Sequence, residues 1–359
     1  MKFLFVVQGE GRGHMTQAIS LRNILVKHGH EVVHVLVGKS PRRQIPQFFF
    51  EKIQTPVDTY ESPNFVVDKN NVKIQLGRTI TYNLVRVHHY FKSMRFIHSV
   101  IHEKKPDAVI NFYELLFGMY YRLYHPKVKH ICIGHQYLLK HPDFVFPEGW
   151  KRDKKLMDIN TNTVSYGACK FLALSFRPMR DIPEKKIKVV PPLLRSEVKQ
   201  LKPVNEGFIL GYMLNAGYAA QIEEWHKQNP SVKLHFFWDK KDAPEDLQVS
   251  PNLTFHRLND VKFLNYMSRC AGYASTAGFE SICEAMYLGK PIMMVPTAGH
   301  FEQACNAVDA TLSGAGIASN QFNLSLLADY IPKHKDISTA FRAWADSAEE
   351  VFLHELTSL

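Results

Sequence analysis

The stretch STAGFESICEAMYLGKPIMMVPTAGHFEQACNA, Ser275 to Ala307, decides the fold of this chain. Ser275, Thr276, Ala277 and Gly278 make a small-residue turn after a short strand, Gly272 to Ala274. The helix that follows, Phe279 to Tyr287, opens with backbone N–H groups that have no partner inside the helix, and such an end is a seat for a phosphate. Ser281 and Glu284 lie within its first two turns, where a carboxylate can accept paired hydrogen bonds from the vicinal hydroxyls of a ribose. Gly289 and Pro291 end that helix and start a strand, Pro291 to Val295. Beyond it, His300, Glu302 and Gln303 offer polar groups suited to sugar hydroxyls.

The same alternation runs back towards the amino end. Strand Phe208 to Met213, a helix from about Tyr218 to Gln228, strands Lys233 to Trp238 and Leu253 to His256, and helix Val261 to Arg269 precede the quoted stretch. Helix Phe301 to Leu312 closes it, and helices near Ser325 to Tyr330 and Ser338 to His354 follow. Before the prolines and charges of Pro191-Pro192 and RSEVKQLKPVNEG, which read as a linker, the pattern is a second α/β domain. It opens with strand Lys2 to Gln8, a helix from about Met15 to Lys27 stopped by Gly29, and strand Glu31 to Val37, a βαβ unit with buried parallel strands. Ala108 to Asn111, His130 to Gly134, Phe171 to Leu174 and Lys188 to Val190 are its further strands. The expected domains are 1–198, with 337–359 packing back on it, and 205–336.

Between the first strand and helix stands VVQGEGRGHMTQA, Val6 to Ala18, with glycines at 9, 11 and 13. A glycine turn before a helix lets an anion or substrate approach the backbone. It is not a dinucleotide fingerprint, because the spacing is G-x-G-x-G-H and the second strand ends in Gly38-Lys39-Ser40 with no acid to hold a ribose. His14, in the first helical turn, is the candidate general base, and the positive helix end favours its neutral form. Glu10 would repel a phosphate, which assigns this loop, with Gly11 and Gly13, to the acceptor side.

Bulk properties agree with a globular protein of two domains: 359 residues, 45% hydrophobic and 22% charged. A net charge of +10 favours an anionic partner, while the absence of a basic tail, zinc-finger spacing or ribonucleoprotein motif argues against nucleic acid. The five cysteines are scattered and read as reduced, mostly buried thiols. With no 18-residue apolar run and no signal-peptide pattern, the expected location is the cytoplasm, with contact at the inner face of the membrane left open. The 18 histidines include no H-E-x-x-H or comparable spacing, so neither metal nor cofactor is expected.

Together these motifs resemble the GT-B glycosyltransferases, in the family 28 and family 1-like group that includes the bacterial enzyme adding N-acetylglucosamine to lipid I. The resemblance rests on G-x-x-(S/T)-x-x-E-A-x-x-x-G-x-P followed by P-x-x-x-x-(D/E)-Q-x-x-N-A. Gly278, Ser281, Glu284, Ala285, Gly289, Pro291, Pro296, Glu302, Gln303, Asn306 and Ala307 match it, and QGEGRGH resembles the group's amino-terminal glycine loop, with Gln8 in place of its first glycine. The resemblance implies two facing Rossmann-like, doubly wound parallel-sheet domains, an interdomain cleft, and a carboxyl-terminal helix crossing back to the first domain.

It also implies roles. Glu284 would hold the donor's ribose, and Glu302 and Gln303, with His300 beside them, its sugar. The turn Thr276 to Phe279, with Asn215 and Gly217, would hold the diphosphate, and Arg257-Leu258 would sit beside the base. Asn111, Glu114, His135 and Gln136, at carboxyl ends of first-domain strands, would line the acceptor side. The donor would be a nucleotide sugar, a UDP-sugar first. No D-x-D is present, and Thr276 stands where retaining members place a second glutamate, so metal-independent inversion is the expectation. A nucleotide-sugar epimerase and a noncatalytic nucleotide-sugar-binding protein are the alternatives.

The acceptor is not named by the sequence, and a lipid-linked one remains among the candidates. FYELLFGMYYRLY, Phe112 to Tyr124, is dense in aromatics, and Tyr82 to Lys105 is a basic amphipathic candidate. Leu84, Val87, Phe91, Met94 and Ile101 in the latter fit a core-facing stripe, which makes a buried helix pair the favoured reading.

Overall fold

The computed structural model describes residues 1–359 except 42–43, 65–75, 214–215, 241 and 359. The chain divides into two compact units. One comprises Met1–Phe144, Glu148–Arg195 and Trp344–Leu359, the other Val145–Pro147 and Ser196–Ala343.

The first unit runs β1 (Lys2–Gln8), α1 (Arg12–Lys27), β2 (Glu31–Lys39), α2 (Gln47–Ile53), β3 (Val57–Glu61), α3 (Leu76–Val85), α4 (Val87–Lys104) and β4 (Ala108–Phe112). It continues with α5 (Leu115–Tyr124), β5 (Lys129–Gly134), a 3-10 turn at His135–Lys140, α6 (Lys151–Val164), β6 (Lys170–Leu174) and β7 (Ile187–Val190). The sheet is parallel throughout, in the order β3-β2-β1-β4-β5-β6-β7. Continuous apolar strands make this possible: Phe3 to Val7 are wholly buried because helices cover both faces of a parallel sheet. On one face Leu4, Val6, Leu36 and Val109 pack with Met94 and Ile97 of α4 and Leu116, Phe117 and Tyr120 of α5.

The second unit runs α7 (Ser196–Gln200), β8 (Ile209–Met213), a 3-10 turn at Ala216–Tyr218, α8 (Ala219–Gln228), β9 (Leu234–Trp238), β10 (Asp246–Ser250), β11 (Leu253–Arg257) and α9 (Asp260–Arg269). Then follow β12 (Gly272–Ser275), α10 (Phe279–Tyr287), β13 (Ile292–Met294), α11 (Phe301–Leu312), β14 (Gly316–Ala318), α12 (Leu324–Tyr330) and α13 (Ser338–Asp346). Its order is β10-β11-β9-β8-β12-β13-β14, parallel except for the antiparallel edge strand β10. The last helix, α14 (Ala348–Thr357), belongs to the first unit. There Trp344 donates its indole N–H to the Ser175 carbonyl at 3.0 Å, and Glu349 meets Lys27 and His28, each at 2.7 Å.

Several sequence expectations are corrected. The strands β3, β10 and β14 were not foreseen: the first two are partly exposed and carry no apolar run, and the third has three residues. The single helix expected over Ser338 to His354 breaks at Ser347. The Tyr82 to Lys105 candidate breaks at Arg86, and its expected buried stripe is mostly on the outside. α4 buries Tyr90, Met94, Ile97 and Val100, whereas Leu84 is 70% exposed and Val87 and Phe91 are each 45% exposed. The buried face of α4 is centred on Tyr90 and Ile97, so Val87 and Phe91 fall on its flank.

Candidate functional site

Each sheet reverses its strand order once, between β1 and β4 in the first unit and between β8 and β12 in the second. In doubly wound sheets the crevice outside the carboxyl ends of the strands at such a point is where ligands bind. Both glycine turns of the sequence stand there.

In the first unit the loop after β1 crosses Gly9, Glu10 and Gly11 into α1. Gly9 is the glycine the geometry demands: its N–H donates to the Gly38 carbonyl at 2.8 Å, and a Cβ would lie 2.8 Å from that same oxygen. Gly11, the N-cap of α1, has open space around it and no side chain to cap the helix. Gly13 lies in the first turn. Glu10 turns its carboxylate to the Ser40 N–H at 2.8 Å, pinning the end of β2.

His14 is nearly buried in the first turn of α1. Its Nδ1 lies 3.3 Å from Gln17 Oε1, its Nε2 lies 3.4 Å from Gln136 Nε2, and its ring stacks on Tyr113 with centroids 6.0 Å apart. Tyr113 follows β4 and holds a left-handed backbone, φ 58°, which is rare for a bulky residue and found where the surroundings enforce it. Those surroundings include Thr161, whose hydroxyl is 2.7 Å from the Tyr113 hydroxyl, and Asn160, which donates to it at 3.2 Å.

Beside Tyr113 a polar pocket is lined by Gln8, Glu10, Ser62, Asn64, Glu114 and Asn160. Glu114 is almost fully buried. It caps α5 by accepting from the Phe117 N–H at 2.8 Å, and it accepts a hydrogen bond from the Ser62 hydroxyl. Burial raises its carboxyl above the usual range, against the lowering effect of those bonds, Ser62's first. Burial and the neighbouring Glu114 carboxylate together push the Tyr60 phenol well above its ordinary value. Gly38 makes room for this carboxylate, since a Cβ there would lie 2.4 Å from Glu114 Oε1. Asn111 lies beneath the pocket, fully buried: its Oδ1 accepts from the Glu114 N–H at 2.7 Å and its Nδ2 donates to the carbonyls of Glu114 and Val164. That makes it a brace for the loop. His135 is also internal, with Nδ1 donating to the Leu174 carbonyl at 2.8 Å and its ring beside Phe176.

In the second unit the turn after β12 carries Thr276 and Ala277, both buried, and Gly278, exposed at the N-cap of α10 with no side chain to cap it. Ala277 takes φ 57°, a left-handed conformation that aims the turn, and Asn306 of α11 donates to its carbonyl at 3.0 Å. Phe279 begins the helix. Ser281 turns its hydroxyl to the Gly278 carbonyl at 3.3 Å, and Glu284 sits one turn further, 2% exposed. His300 is the N-cap of α11, accepting at Nδ1 from the Gln303 N–H at 3.4 Å. Gln303 commits its carbonyl oxygen to the Thr297 N–H at 2.8 Å, so its NH2 is what it can offer a ligand. Glu302 is half-buried beside it. Gly217 lies in the 3-10 turn after β8. Asn215 falls outside the described residues. Arg257 is exposed at the end of β11 and Leu258 follows it, two strands from the reversal point. Among the described residues, no group of three or more His, Cys, Asp or Glu side chains is placed to hold a metal ion.

The model of the family described as glycosyl transferase family 1 matches residues 1–333. The chain belongs to glycosyl transferase family 1. This glycosyltransferase is 21% identical, over 92% of its own length and 90% of the relative's, to the UDP-N-acetylglucosamine--N-acetylmuramyl-(pentapeptide) pyrophosphoryl-undecaprenol N-acetylglucosamine transferase of Rickettsia canadensis (strain McKiel). Its fold is similar to that of Phytolacca americana UGT2, solved with UDP-2fluoro-glucose and pterostilbene, at TM-score 0.64 and 15% identity over 99% of both chains. The glycotransferase of kitacinnamycin gives TM-score 0.62 and 16% identity over 98% of this chain and 95% of that one. The two doubly wound units of the glycosyltransferase are thus a GT-B architecture.

Sequence reasoning missed four residues that contact the candidate site residues. Gln17 lies three residues after His14, hence on the same helical face, a spacing that was readable. Tyr113 stood between two named candidates. Asn306 matched the motif without a role. Ser62 follows the unforeseen β3, and nothing local in its sequence marked it.

Proposed function

We propose that the glycosyltransferase takes a nucleoside-diphosphate sugar, a UDP-sugar first, and transfers its sugar with inversion and without a metal to a hydroxyl of a lipid-linked acceptor. The amino end of α10 carries the reading: a glycine N-cap, a left-handed residue before it, and a buried carboxylate, Glu284, at its second turn. A helix start of this kind stabilises the negative charge that gathers on a departing diphosphate, and Glu284 meets the ribose hydroxyls. In this reading His14 takes the proton of the acceptor hydroxyl as the glycosidic bond to the diphosphate breaks. The nucleotide in the name of the Rickettsia canadensis relative, UDP-N-acetylglucosamine, supports the choice of base.

The α3–α4 surface supports the lipid-linked acceptor and contact with the inner face of a membrane. Leu84, Val85, Val87 and Phe91 are exposed apolar side chains around the α3–α4 junction, with Lys92 and Arg95 exposed along α4. Exposed apolar side chains accompanied by cations suit an anionic bilayer surface. No helix among the described residues is long and apolar enough to cross a membrane.

A thermal-shift panel of UDP-, dTDP- and GDP-sugars and NAD tests the donor. A ligand present at about 100 times its Kd adds roughly 2.7 kcal/mol of stability. UDP-N-acetylglucosamine is expected to raise Tm and NAD to leave it unchanged; the opposite pattern overturns the reading.

A further inference from the structure

We propose that Gln17 and Gln136 fix the tautomer of His14 so that Nε2 is the atom that accepts the proton, and that the Gln136 NH2 holds that atom until an acceptor hydroxyl replaces it. The inference rests on His14 as the base and adds which of its nitrogens works and what holds it ready.

The geometry is that of a buried, directional chain. His14, Gln17 and Gln136 are 8%, 3% and 4% exposed. A carbonyl oxygen can only accept a hydrogen bond, so Gln17 Oε1 at 3.3 Å places the ring hydrogen on Nδ1. An amide NH2 can only donate, so Gln136 Nε2 at 3.4 Å meets a lone pair on Nε2. Both contacts assign the same neutral tautomer, and a buried amide left without its partner is costly. Two further features keep the ring from turning over. Tyr113 stacks on it at an interplanar angle of 17° and is itself tied to Thr161. Gly134 admits Gln136 to its place, because a Cβ at Gly134 would lie 2.6 Å from Gln136 Oε1.

The reaction then balances. The acceptor hydroxyl displaces the Gln136 NH2 and donates to Nε2. Its oxygen forms the new bond to the anomeric carbon, its proton passes to Nε2, and the electron pair of the broken carbon–oxygen bond leaves with the diphosphate. The ring becomes an imidazolium whose Nδ1–H still points at Gln17. Gln17 and Gln136 are positioning residues here, since neither receives the proton.

The ring nitrogens report the tautomer directly. In a long-range proton–nitrogen NMR spectrum of the free protein at neutral pH, with the His14 signal assigned by its loss in His14→Ala, Nε2 is expected at the unprotonated position and Nδ1 at the protonated one. Gln17→Glu, which keeps an acceptor at Nδ1, retains that pattern; Gln17→Leu mixes the two tautomers. A wild-type spectrum with hydrogen on Nε2, or a Gln17→Leu spectrum identical to wild type, overturns the inference, and the wild-type spectrum decides the matter alone if Gln17→Leu fails to fold. The spectrum is taken without substrate, so its failure leaves the sugar-transfer reading standing. Failure of the base assignment shows elsewhere, as undiminished turnover of UDP-N-acetylglucosamine by His14→Ala.

Discussion

Asn306, on α11, reaches across to the left-handed Ala277 and donates its side-chain amide to that residue's carbonyl at 3.0 Å. The helix that carries Glu302 and Gln303 thereby holds the turn that presents the amino end of α10. Asn306→Ala should leave the buried Ala277 carbonyl unsatisfied and lower stability by about 1–3 kcal/mol. It should also reduce the Tm gain from UDP-N-acetylglucosamine by more than the protein's own loss of Tm. Denaturant melts measure the first effect, and thermal melts with and without the nucleotide sugar measure the second.

Glu284→Gln keeps the shape of the buried side chain and removes its charge. Hydrogen bonds to a charged group contribute about 1.5–3 kcal/mol, so the Kd for UDP should rise roughly 10- to 100-fold. Calorimetric titration reads the constant, and an unchanged Kd would place the ribose elsewhere.

Gly38→Ala tests how tightly the first-unit pocket is packed. The new methyl would lie 2.4 Å from Glu114 Oε1, which Ser62 holds while the Phe117 N–H holds Oε2, so it cannot be accommodated by turning one free side chain. Overpacking of this kind lowers stability by about 1–3 kcal/mol. Gly11→Ala, where a Cβ meets open space, should fold as wild type in the same melt.

Acid should destabilise both units through histidines held neutral. Burial lowers His130 to about 3 and His235 to about 4, from an ordinary 6.5, and lowers His256 as well. His235 Nδ1 lies 3.0 Å from His256 Nε2, whose Nδ1 is 2.7 Å from Asp246, which Lys262 also meets. The unfolded chain binds protons at these histidines below about pH 6.5 and the folded chain does not, so stability rises with pH across this range. It is fully present above about 6.5 and is lost as pH falls towards 4 for His235 and towards 3 for His130. Denaturant midpoints at pH 7, 6 and 5 should fall steadily, and His235→Gln should flatten the slope.

Binding to vesicles tests the α3–α4 surface. Leu84→Glu with Phe91→Glu should abolish sedimentation with vesicles containing anionic phospholipid while leaving Tm within about 1 °C, since both side chains are already exposed. Wild-type binding should weaken with added salt. Equal binding by both proteins would remove this surface from the account.

The parallel core was legible because its strands are continuous apolar runs bounded by glycine and proline; Lys2–Gln8 and Phe279–Tyr287 appear with the ends that were read from sequence. What escaped was set by tertiary context. β10 pairs antiparallel at an edge with most of its side chains in water, so it carries no hydrophobic period. α4 turns Phe91 outward although its spacing to Met94 suggested otherwise, because the face it buries is chosen by the sheet beneath it. In the site, residue types on strand ends were readable, but whether each points to a pocket or braces it was not. Glu114 and Asn111 look alike in sequence, yet Glu114 lines the pocket while Asn111 holds the loop from below.

The return of residues 344–359 to the first unit has a consequence for the order of biosynthesis. A ribosome finishes β1 to β7 long before it makes α14, and Ser196–Ala343 of the second unit lie between. During that interval Lys27, His28, Lys170 and the Ser175 carbonyl stand without Glu349, Glu355 and Trp344. The unit begun first is therefore the one completed last.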